Sequence, residues 1–397
     1  MEISLERTPC CFALGSSNIL AVGNMDGCLE LNTYDPDPER QDFTEHWRFR
    51  TKSSIRAITF SEDGSTIYGI GRNKSLCSYD TETGKRTRCI VKSHEARPTT
   101  ICLLPSTARK NQQFATGDEN GYVHTWDFRS ENPLICQWSD QTGDINALAM
   151  DSNHNLLSAS ADNTLAAYEV RKCKLRLKSE EMGSELLSIC ATEKFVYVGT
   201  QEGYVEIFKN GEYGNILERI ESGFDMNVSQ IIELRTGLLL TSSETSNEIR
   251  ALNVMPNKKL GIAAKHGGAE SSVDQIGITP DCSWLLSMDL FSKSLKFWPF
   301  EEITAKFPIL RADSIKKKKI NGGFFSDLVD EKYLKSLEKR KKRKDSDSDD
   351  DDKEDAEQDS ESDNDDSDDI NDEEMGSESD VDDEEEDSED PDDEMTD

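Results

Sequence analysis

Residues 114–129 read FATGDENGYVHTWDFR, and this stretch decides the fold. A short apolar strand leads into the Asn-Gly pair at 120–121, which favours a tight hairpin because both positions tolerate positive φ. The returning strand places Tyr122, His124 and Trp126 on one face and smaller residues on the other, because side chains alternate along a strand. We therefore predict a β-hairpin that is covered on both faces.

The same hairpin recurs along the chain with a period of 40–47 residues. One position in each second strand marks the seven units: Asn32, Tyr79, Trp126, Tyr168, Phe208, Leu252 and Trp298. In the sixth unit the turn is predicted at Ser246 and Asn247. This period, with four short strands per unit, is typical of a β-propeller blade. Such blades cannot bury their faces alone, so we predict an all-β ring of seven blades.

The predicted ring occupies residues 1–303, with residues 1–5 adding an outer strand to the last blade. A basic linker, residues 304–344, follows. Within it, residues 330–337 are predicted to form a short amphipathic helix, and Phe324, Phe325 and Leu328 are candidates for docking on the propeller or on a partner. Residues 345–397 hold 33 acidic residues and one basic residue, which leaves 47 acidic and 45 basic residues in the rest of the chain. With few apolar residues and strong self-repulsion, this tail is predicted to be disordered.

Ten cysteines are present, none with CxxC spacing, and most lie among apolar strand residues. We expect buried, reduced thiols that act as small hydrophobic side chains. The N-terminus shows no signal-peptide pattern. No apolar stretch reaches the length of about 18 residues that a membrane span needs.

The polar residues do not form a recognisable catalytic or metal-binding pattern. The five histidines are His46, His94, His124, His154 and His266. They fall in different blades without metal-ligand spacing, so we expect structural roles, with His94 stabilising its blade by hydrogen bonding. Nucleophile-elbow and phosphate-loop motifs are absent from the sequence. We therefore predict a protein that is not an enzyme and that uses no cofactor.

Specific phrases resemble a known family. Trp126 and Asp127 form the dipeptide of WD40 repeats, and Ser93-His94 stands where many such repeats carry Gly-His. Residues 116–129, 249–257 and 295–298 are similar to blades of the WD repeat-containing protein 55 family. Residues 322–328 resemble the segment that follows the propeller in that family. The resemblance implies a nuclear and nucleolar protein that supports ribosomal RNA production and ribosome assembly.

Trp126, Asp127 and Arg129 also fit a WDxR pattern. In some WD40 proteins this pattern resembles the docking box for the adaptor of cullin-4 ubiquitin ligases, where the planar arginine meets an acidic partner. The alternative is local: Asp127 and Arg129 end a strand and pair with nearby groups. Because four residues are a short pattern, we favour the local interpretation, and a substrate receptor of a cullin-4 ligase is the alternative function.

Two basic clusters follow the predicted ring. They comprise Lys316, Lys317, Lys318, Lys319 and Lys339, Arg340, Lys341, Lys342, Arg343, Lys344. Such clusters are typical of nuclear import signals or of segments drawn to phosphate backbones. The alternative is a solvated linker. We favour import, with a nuclear and nucleolar location, and a cytoplasmic pool as an additional location.

The acidic tail offers sites for acidophilic kinases. Six serines have an acidic residue three positions later: Ser346, Ser348, Ser360, Ser362, Ser377 and Ser379. Phosphorylation would add negative charge to a segment that already resembles a polyanion. The tail could hold basic ribosomal proteins or histones, or act only as a solubilising extension.

Together these features predict a non-enzymatic WD40 scaffold in nucleolar ribosome biogenesis. Its partners would be pre-ribosomal factors or basic ribosomal proteins, with RNA nearby and no membrane. We expect a monomeric propeller within a larger complex. A histone-binding chaperone is a further alternative, suggested by the fold and the charge of the tail.

Overall fold

The structure is a computed structural model that describes residues 1–37, 40–105, 113–268 and 271–308. The two basic clusters, the segment 324–337 and the acidic tail lie outside the described residues, and their predicted roles remain predictions. Within the described ranges, no helix has the length and apolar character that crossing a bilayer requires.

Strands make up almost all of the regular structure. The strands are β1 (Glu2–Ser4), β2 (Pro9–Gly15), β3 (Ile19–Asn24), β4 (Cys28–Asp35), β5 (Asp42–Arg50), β6 (Ile55–Phe60), β7 (Thr66–Gly71), β8 (Leu76–Asp80), β9 (Arg86–Ile90), β10 (Pro98–Leu103), β11 (Gln113–Asp118), β12 (Val123–Asp127), β13 (Leu134–Trp138), β14 (Ile145–Met150), β15 (Asn155–Ser160), β16 (Leu165–Glu169), β17 (Lys174–Lys178), β18 (Leu186–Ala191), β19 (Phe195–Thr200), β20 (Tyr204–Lys209), β21 (Glu218–Glu221), β22 (Gln230–Arg235), β23 (Leu238–Ser243), β24 (Ser246–Asn253), β25 (Lys258–Lys265), β26 (Gln275–Ile278), β27 (Trp284–Asp289) and β28 (Ser294–Pro299). A 3-10 turn spans Val170–Lys172, and the helix α1 spans Phe300–Lys306.

These strands form seven four-stranded antiparallel sheets, so the prediction of seven blades is confirmed. Blades one to six each use four consecutive strands, from β2–β5 to β22–β25, and blade seven has the order β1-β28-β27-β26. Each innermost strand contacts the innermost strand of the next blade, and β26 of blade seven contacts β2 of blade one. The blades therefore close into a ring.

The marker residues occupy equivalent places in the blades. Trp126 pairs with Phe114, just as Tyr168 pairs with Leu156 in the next blade. Separate buried apolar clusters form this core, and a typical one joins Tyr68 and Ile70 of blade two to residues of blade three. The apolar surface is thus buried mainly between neighbouring blades, which explains why an isolated hairpin would leave it exposed.

The predicted N-terminal clasp is confirmed. β1 lies antiparallel to β28, with Ile3 opposite Leu295. The amide of Phe297 donates to the carbonyl of Met1 at 2.8 Å, and Glu2 pairs with Lys296 at 3.3 Å. Blade seven is therefore completed by a strand from the opposite end of the described chain.

Polar side chains of the innermost strands make hydrogen bonds across five of the blade boundaries. Three side chains donate to a carbonyl of the next blade: Thr99 to Ile145, Asn146 to Leu186 and Ser188 to Val228. The Gln230 side chain accepts a hydrogen bond from the amide of Ile276. The Gln275 side chain accepts from the amide of Phe12 and donates to its carbonyl. The last connection, with distances of 2.8 and 3.0 Å, joins blade seven to blade one. These backbone N–H and C=O groups near the centre of the ring are therefore hydrogen-bonded even though the innermost strands of neighbouring blades do not pair with each other.

In most blades the turn between the second and third strands needs a residue whose backbone adopts the left-handed conformation, with positive φ. Gly121 takes this position in blade three with φ of 84°, and Lys74 takes it in blade two with φ of 66°. A Cβ on Gly121 would lie 2.1 Å from the carbonyl oxygen of Gln141, so only glycine fits there. Blade six differs from the prediction, because its turn lies at residues 244–245 and Ser246 and Asn247 already belong to β24.

α1 continues the chain beyond β28. Its Ile303 and the following Phe307 are buried in the apolar cluster that contains Leu285. Arg235 of blade six donates a hydrogen bond to the carbonyl of Phe307. The predicted boundary after residue 303 thus falls inside a helix that packs on the ring.

The expectation that all cysteines are reduced is wrong for one pair. Cys136 of β13 and Cys173, just before β17, form a disulfide with a Cα–Cα distance of 5.5 Å. Cys136 lies on the outer strand of blade three, and Cys173 lies at the start of the outer strand of blade four. Their proximity depends on the ring, so sequence spacing could not reveal it. The other eight cysteines are free, and Cys11, Cys28 and Cys77 are buried as predicted. Burial is incomplete for Cys10, Cys89, Cys102 and Cys190, and Cys282 is exposed, contrary to the prediction.

Candidate functional site

The conspicuous polar residues of blade three form a buried hydrogen-bond network. His94 lies 3.0 Å from the Asp118 carboxylate through Nδ1 and 2.7 Å from the Thr116 hydroxyl through Nε2. The Trp126 indole also donates to Thr116, at 2.7 Å. Burial opposes ionisation of Asp118, but hydrogen bonds from His94 and two backbone amides outweigh it and lower the pKa of that carboxyl. The predicted stabilising role of His94 is confirmed, and Trp126 shares it.

His124 packs against this network rather than facing solvent. Its ring stacks on that of His94 with centroids 4.1 Å apart. Burial, reinforced by the neighbouring His94, lowers the pKa of His124 to about 4. Its role is therefore structural, as the sequence predicts.

Blade seven contains a second version of the network. His266 lies 2.6 Å from the Ser287 hydroxyl, to which the Trp298 indole donates at 2.9 Å. The spacing from His266 to Trp298 is the same as that from His94 to Trp126. This shared spacing is the signal by which sequence reasoning could have found the second network.

Asp127 and Arg129 pair with each other at the turn between β12 and β13. The Arg129 guanidinium donates to both carboxylate oxygens of Asp127, at 2.9 and 2.5 Å. This bond is the main cause that lowers the pKa of Asp127 to about 2. The Arg129 side chain is nevertheless 48% exposed and borders a hollow of about 630 Å³. Asp127 and Arg129 thus form the local pair that was one of the two interpretations of the WDxR pattern. Part of the Arg129 side chain is still accessible to solvent.

The neighbouring blade fixes this turn. Arg88 of β9 donates to the carbonyls of Phe128, Ser130 and Glu131 at 2.6–2.9 Å. Its guanidinium also lies over the Phe128 ring, 5.4 Å from the centroid. Blade two therefore holds Arg129 in position through the backbone on either side of it.

A larger cavity, of about 1210 Å³, opens among blades three to six. Four of the turns that line it join an innermost strand to the second strand of its blade, at Pro105, at 151–154, at 192–194 and at 236–237. In an antiparallel blade these turns lie at the same end as the turn that carries Arg129. Both hollows thus open on one end of the ring.

The cavity combines an apolar lining with acidic groups. Apolar contacts come from Met150, Phe195, Tyr197, Ile232, Val254 and Met255. Among the described lining residues, the acidic groups are Asp151, Glu193 and Glu233, and Lys194 is the one lysine or arginine. Within the described residues, no cluster of three or more histidine, cysteine or acidic side chains is arranged to hold a metal ion.

Curated relatives match most of the chain. WD repeat-containing protein 55 of Bos taurus is 27% identical over 310 residues, which cover 77% of this chain and 77% of that protein. The protein of the same name in Arabidopsis thaliana is 26% identical and covers 72% of this chain and 79% of its own length. An uncharacterized WD repeat-containing protein of Schizosaccharomyces pombe is 28% identical, over 74% of this chain and 81% of that protein. The predicted resemblance is confirmed.

No protein-family model matches the chain. Among solved structures, a chain in the crystal structure of the mitotic checkpoint complex superimposes with a TM-score of 0.61. It is 15% identical, and the match covers 75% of this chain and 90% of that chain, so the likeness shows the fold alone. The relatives and the ring together support a WD40 scaffold for protein–protein interactions, a class that is generally non-enzymatic.

Proposed function

We propose that this homologue of WD repeat-containing protein 55 is a non-enzymatic scaffold in nucleolar ribosome biogenesis. Its partners are pre-ribosomal factors or basic ribosomal proteins, and it supports ribosomal RNA synthesis and processing from within a larger complex. The observation that carries the scaffold role is the cavity of about 1210 Å³ on a rigid ring, which offers a concave surface for a protein segment. The process is the one that the family resemblance implies.

Depletion of the protein from growing cells, followed by pulse labelling of RNA, tests the process. We expect less mature ribosomal RNA in depleted cells and recovery when the full chain is restored. Affinity purification from the same cells should yield mainly pre-ribosomal proteins. Unchanged labelling would contradict the proposal, and a preparation dominated by histones would favour the chaperone alternative.

In this proposal the basic clusters at 316–319 and 339–344 are the nuclear import signals. A reporter fused to residues 311–344 should accumulate in nuclei because clustered lysines and arginines are read by import receptors. The same fusion with serine at the ten basic positions of the two clusters is the matched control. Retention of the unaltered fusion in the cytoplasm would contradict this part of the proposal.

The acidic tail is the proposed target of an acidophilic kinase. Mass spectrometry of the protein purified from cells should find phosphate on some of the six serines between 346 and 379 that precede acidic residues. Absence of phosphate from all six would contradict this proposal.

A second candidate function is docking to the adaptor of a cullin-4 ubiquitin ligase through Arg129. The half-exposed Arg129 side chain beside the hollow of about 630 Å³ favours it. In this case Arg129→Ala should abolish co-precipitation of the adaptor, while Arg171→Ala, at an exposed arginine of blade four, should not. Adaptor binding that survives Arg129→Ala would remove this candidate.

A further inference from the structure

The large cavity has the polarity of a site for a cationic chain with apolar groups. Its interior presents side chains such as Phe195 and Ile232, which are only partly buried. Met255, at the blade-six margin, is 55% exposed. An exposed apolar surface that borders a concavity is a common feature of protein-binding sites.

The charge around this apolar surface is negative. Glu193 is exposed at the turn between β18 and β19, and Glu233 accepts a hydrogen bond from the amide of Gly237 at 3.0 Å. The Asp151 carboxylate accepts hydrogen bonds from the Tyr213 hydroxyl at 2.6 Å and from the Asn155 amide at 2.7 Å, and these bonds fix its position at the cavity wall.

Fewer of the described lining residues are positively charged. Among them, Lys194 is the one lysine or arginine. Arg235, which follows Glu233 in sequence, donates to the carbonyl of Phe307. The described lining therefore carries more acidic than basic side chains, which favours a cationic ligand over a polyanion such as RNA.

The volume is that of a peptide site. Cavities of about 300–1,000 Å³ hold a drug-sized molecule, and this cavity, of about 1210 Å³, is larger. Lysine and arginine side chains can lay their aliphatic stems on an apolar surface while their charged ends reach carboxylates. An extended segment that alternates such residues with aliphatic ones matches both features of the cavity.

We propose that this cavity binds an extended peptide segment of a partner protein, rich in lysine or arginine and carrying aliphatic side chains. The aliphatic groups lie against Phe195, Ile232 and Met255, and the cationic ends lie near Glu193 and Glu233. The proposal rests on the scaffold function above and names the class of segment that the scaffold holds.

Photo-crosslinking to the full chain gives a local test, which is needed because the acidic tail also attracts basic peptides. The probe is a dodecapeptide of lysine, arginine and isoleucine in which one isoleucine is replaced by benzoylphenylalanine. We expect a crosslink at Met255, located by mass spectrometry. Glu193→Lys should lower its yield about fivefold, since one exposed ion pair contributes up to about 1 kcal/mol, and should leave the yield within 345–397 unchanged.

Glu181→Lys is the matched control. It makes the same change in net charge at an exposed acidic residue that does not line the cavity, and it should leave the Met255 crosslink unchanged. An equal loss of the Met255 crosslink in Glu193→Lys and Glu181→Lys would show that the overall charge of the protein attracts the peptide, and it would overturn the proposal. Crosslinks confined to residues 345–397 would overturn it as well. A photoactive RNA that reacts at Met255, and reacts more strongly in Glu193→Lys, would also overturn it.

Two further results separate the possible occupants and the two proposals. A higher Met255 yield after Lys316–Lys319 are all changed to serine would mean that the chain's own lysines compete for the cavity, and it would overturn the assignment to a partner. Met255 crosslinks together with normal ribosomal RNA labelling after depletion would contradict the ribosome role while supporting the site. Reduced labelling of ribosomal RNA after depletion, without crosslinks at Met255, would support the ribosome role and contradict the peptide site.

Discussion

At the scale of single residues, His94 links two polar groups that have little access to water. Its ring lies within hydrogen-bond distance of Asp118 and Thr116, and all three side chains are buried. In His94→Ala both bonds are lost and the Asp118 carboxylate remains buried. We expect the free energy of unfolding to fall by about 3 kcal/mol, measured by urea denaturation. Glu95→Ala, at the exposed neighbour, should change it little, and equal stability of the two variants would contradict this role.

His124 makes stability depend on pH in a definite direction. A histidine in the unfolded chain titrates near pH 6.5, whereas burial lowers the pKa of His124 to about 4 in the folded protein. Between these values the unfolded chain binds a proton that the folded protein does not, so stability is full above pH 6.5 and falls as the pH drops toward 4. The contribution of His124 should be a loss of about 1 kcal/mol between pH 7 and 5.5.

Urea denaturation at these two pH values measures the loss. His124→Asn should reduce it, and His46→Asn, at an exposed histidine, should leave it unchanged. Burial also lowers the pKa of His266, which acts in the same direction, so some dependence should remain in His124→Asn. A wild-type pH dependence in His124→Asn would contradict the assignment.

The sequence predicts roles at this scale only where a familiar pattern is present. His94 was identified because Ser93-His94 resembles a repeat dipeptide. The equivalent role of His266 was missed because Lys265-His266 does not, and because a serine, Ser287, accepts the Trp298 bond in place of the threonine of blade three. Different side chains can supply the same hydroxyl acceptor, and a search by residue type overlooks such exchanges.

At the scale of elements, β1 stabilises blade seven from outside. It contributes backbone pairing to β28 and places Met1, Ile3 and Leu5 against the apolar cluster of blades seven and one. Deletion of residues 1–6 should lower the melting temperature by several degrees, about the shift that 1–2 kcal/mol produces. Calorimetry measures it. Glu2→Ala, which removes the ion pair with Lys296 and keeps the strand, should have a smaller effect, and an unchanged melt after deletion would contradict the clasp.

Strands could be predicted better than their connections. The period-two alternation and the turn residues located the hairpins, since both signals are local. The turn of blade six was misplaced because 244–245 contains neither glycine nor asparagine. α1 was not predicted, since its Ile303 and Phe307 are apolar residues whose burial depends on blades six and seven.

At the scale of the whole molecule, Gln275 holds the boundary where the ring closes. Its amide makes two hydrogen bonds with the backbone of Phe12, across blades seven and one. Gln275→Ala should lower the free energy of unfolding by about 2 kcal/mol, because two bonds are lost and two backbone groups lose their partner. Chemical denaturation measures this, with Gln137→Ala on the exposed face of β13 as the control. An effect no larger than that of the control would contradict the role of Gln275.

The ring could be predicted from the repeat, but its cavity could not. The lining comes from turns near residues 105, 151, 193, 236 and 255, which meet only after several blades are in place. Each turn is unremarkable in sequence, and the acidic character of the cavity is a property of the assembled end. The Cys136–Cys173 bond was missed for the same reason, since it joins neighbouring blades.

The pairing of Glu2 with Lys296 has a consequence for synthesis on the ribosome. The first strand leaves the ribosome long before its partner is translated, and at about 5–20 residues per second the wait is roughly 15–60 s. Throughout this time a nascent chain exposes the apolar side chains of Ile3 and of the unfinished blades. A chaperone that binds the nascent chain during translation would cover these apolar side chains until the last blade leaves the ribosome.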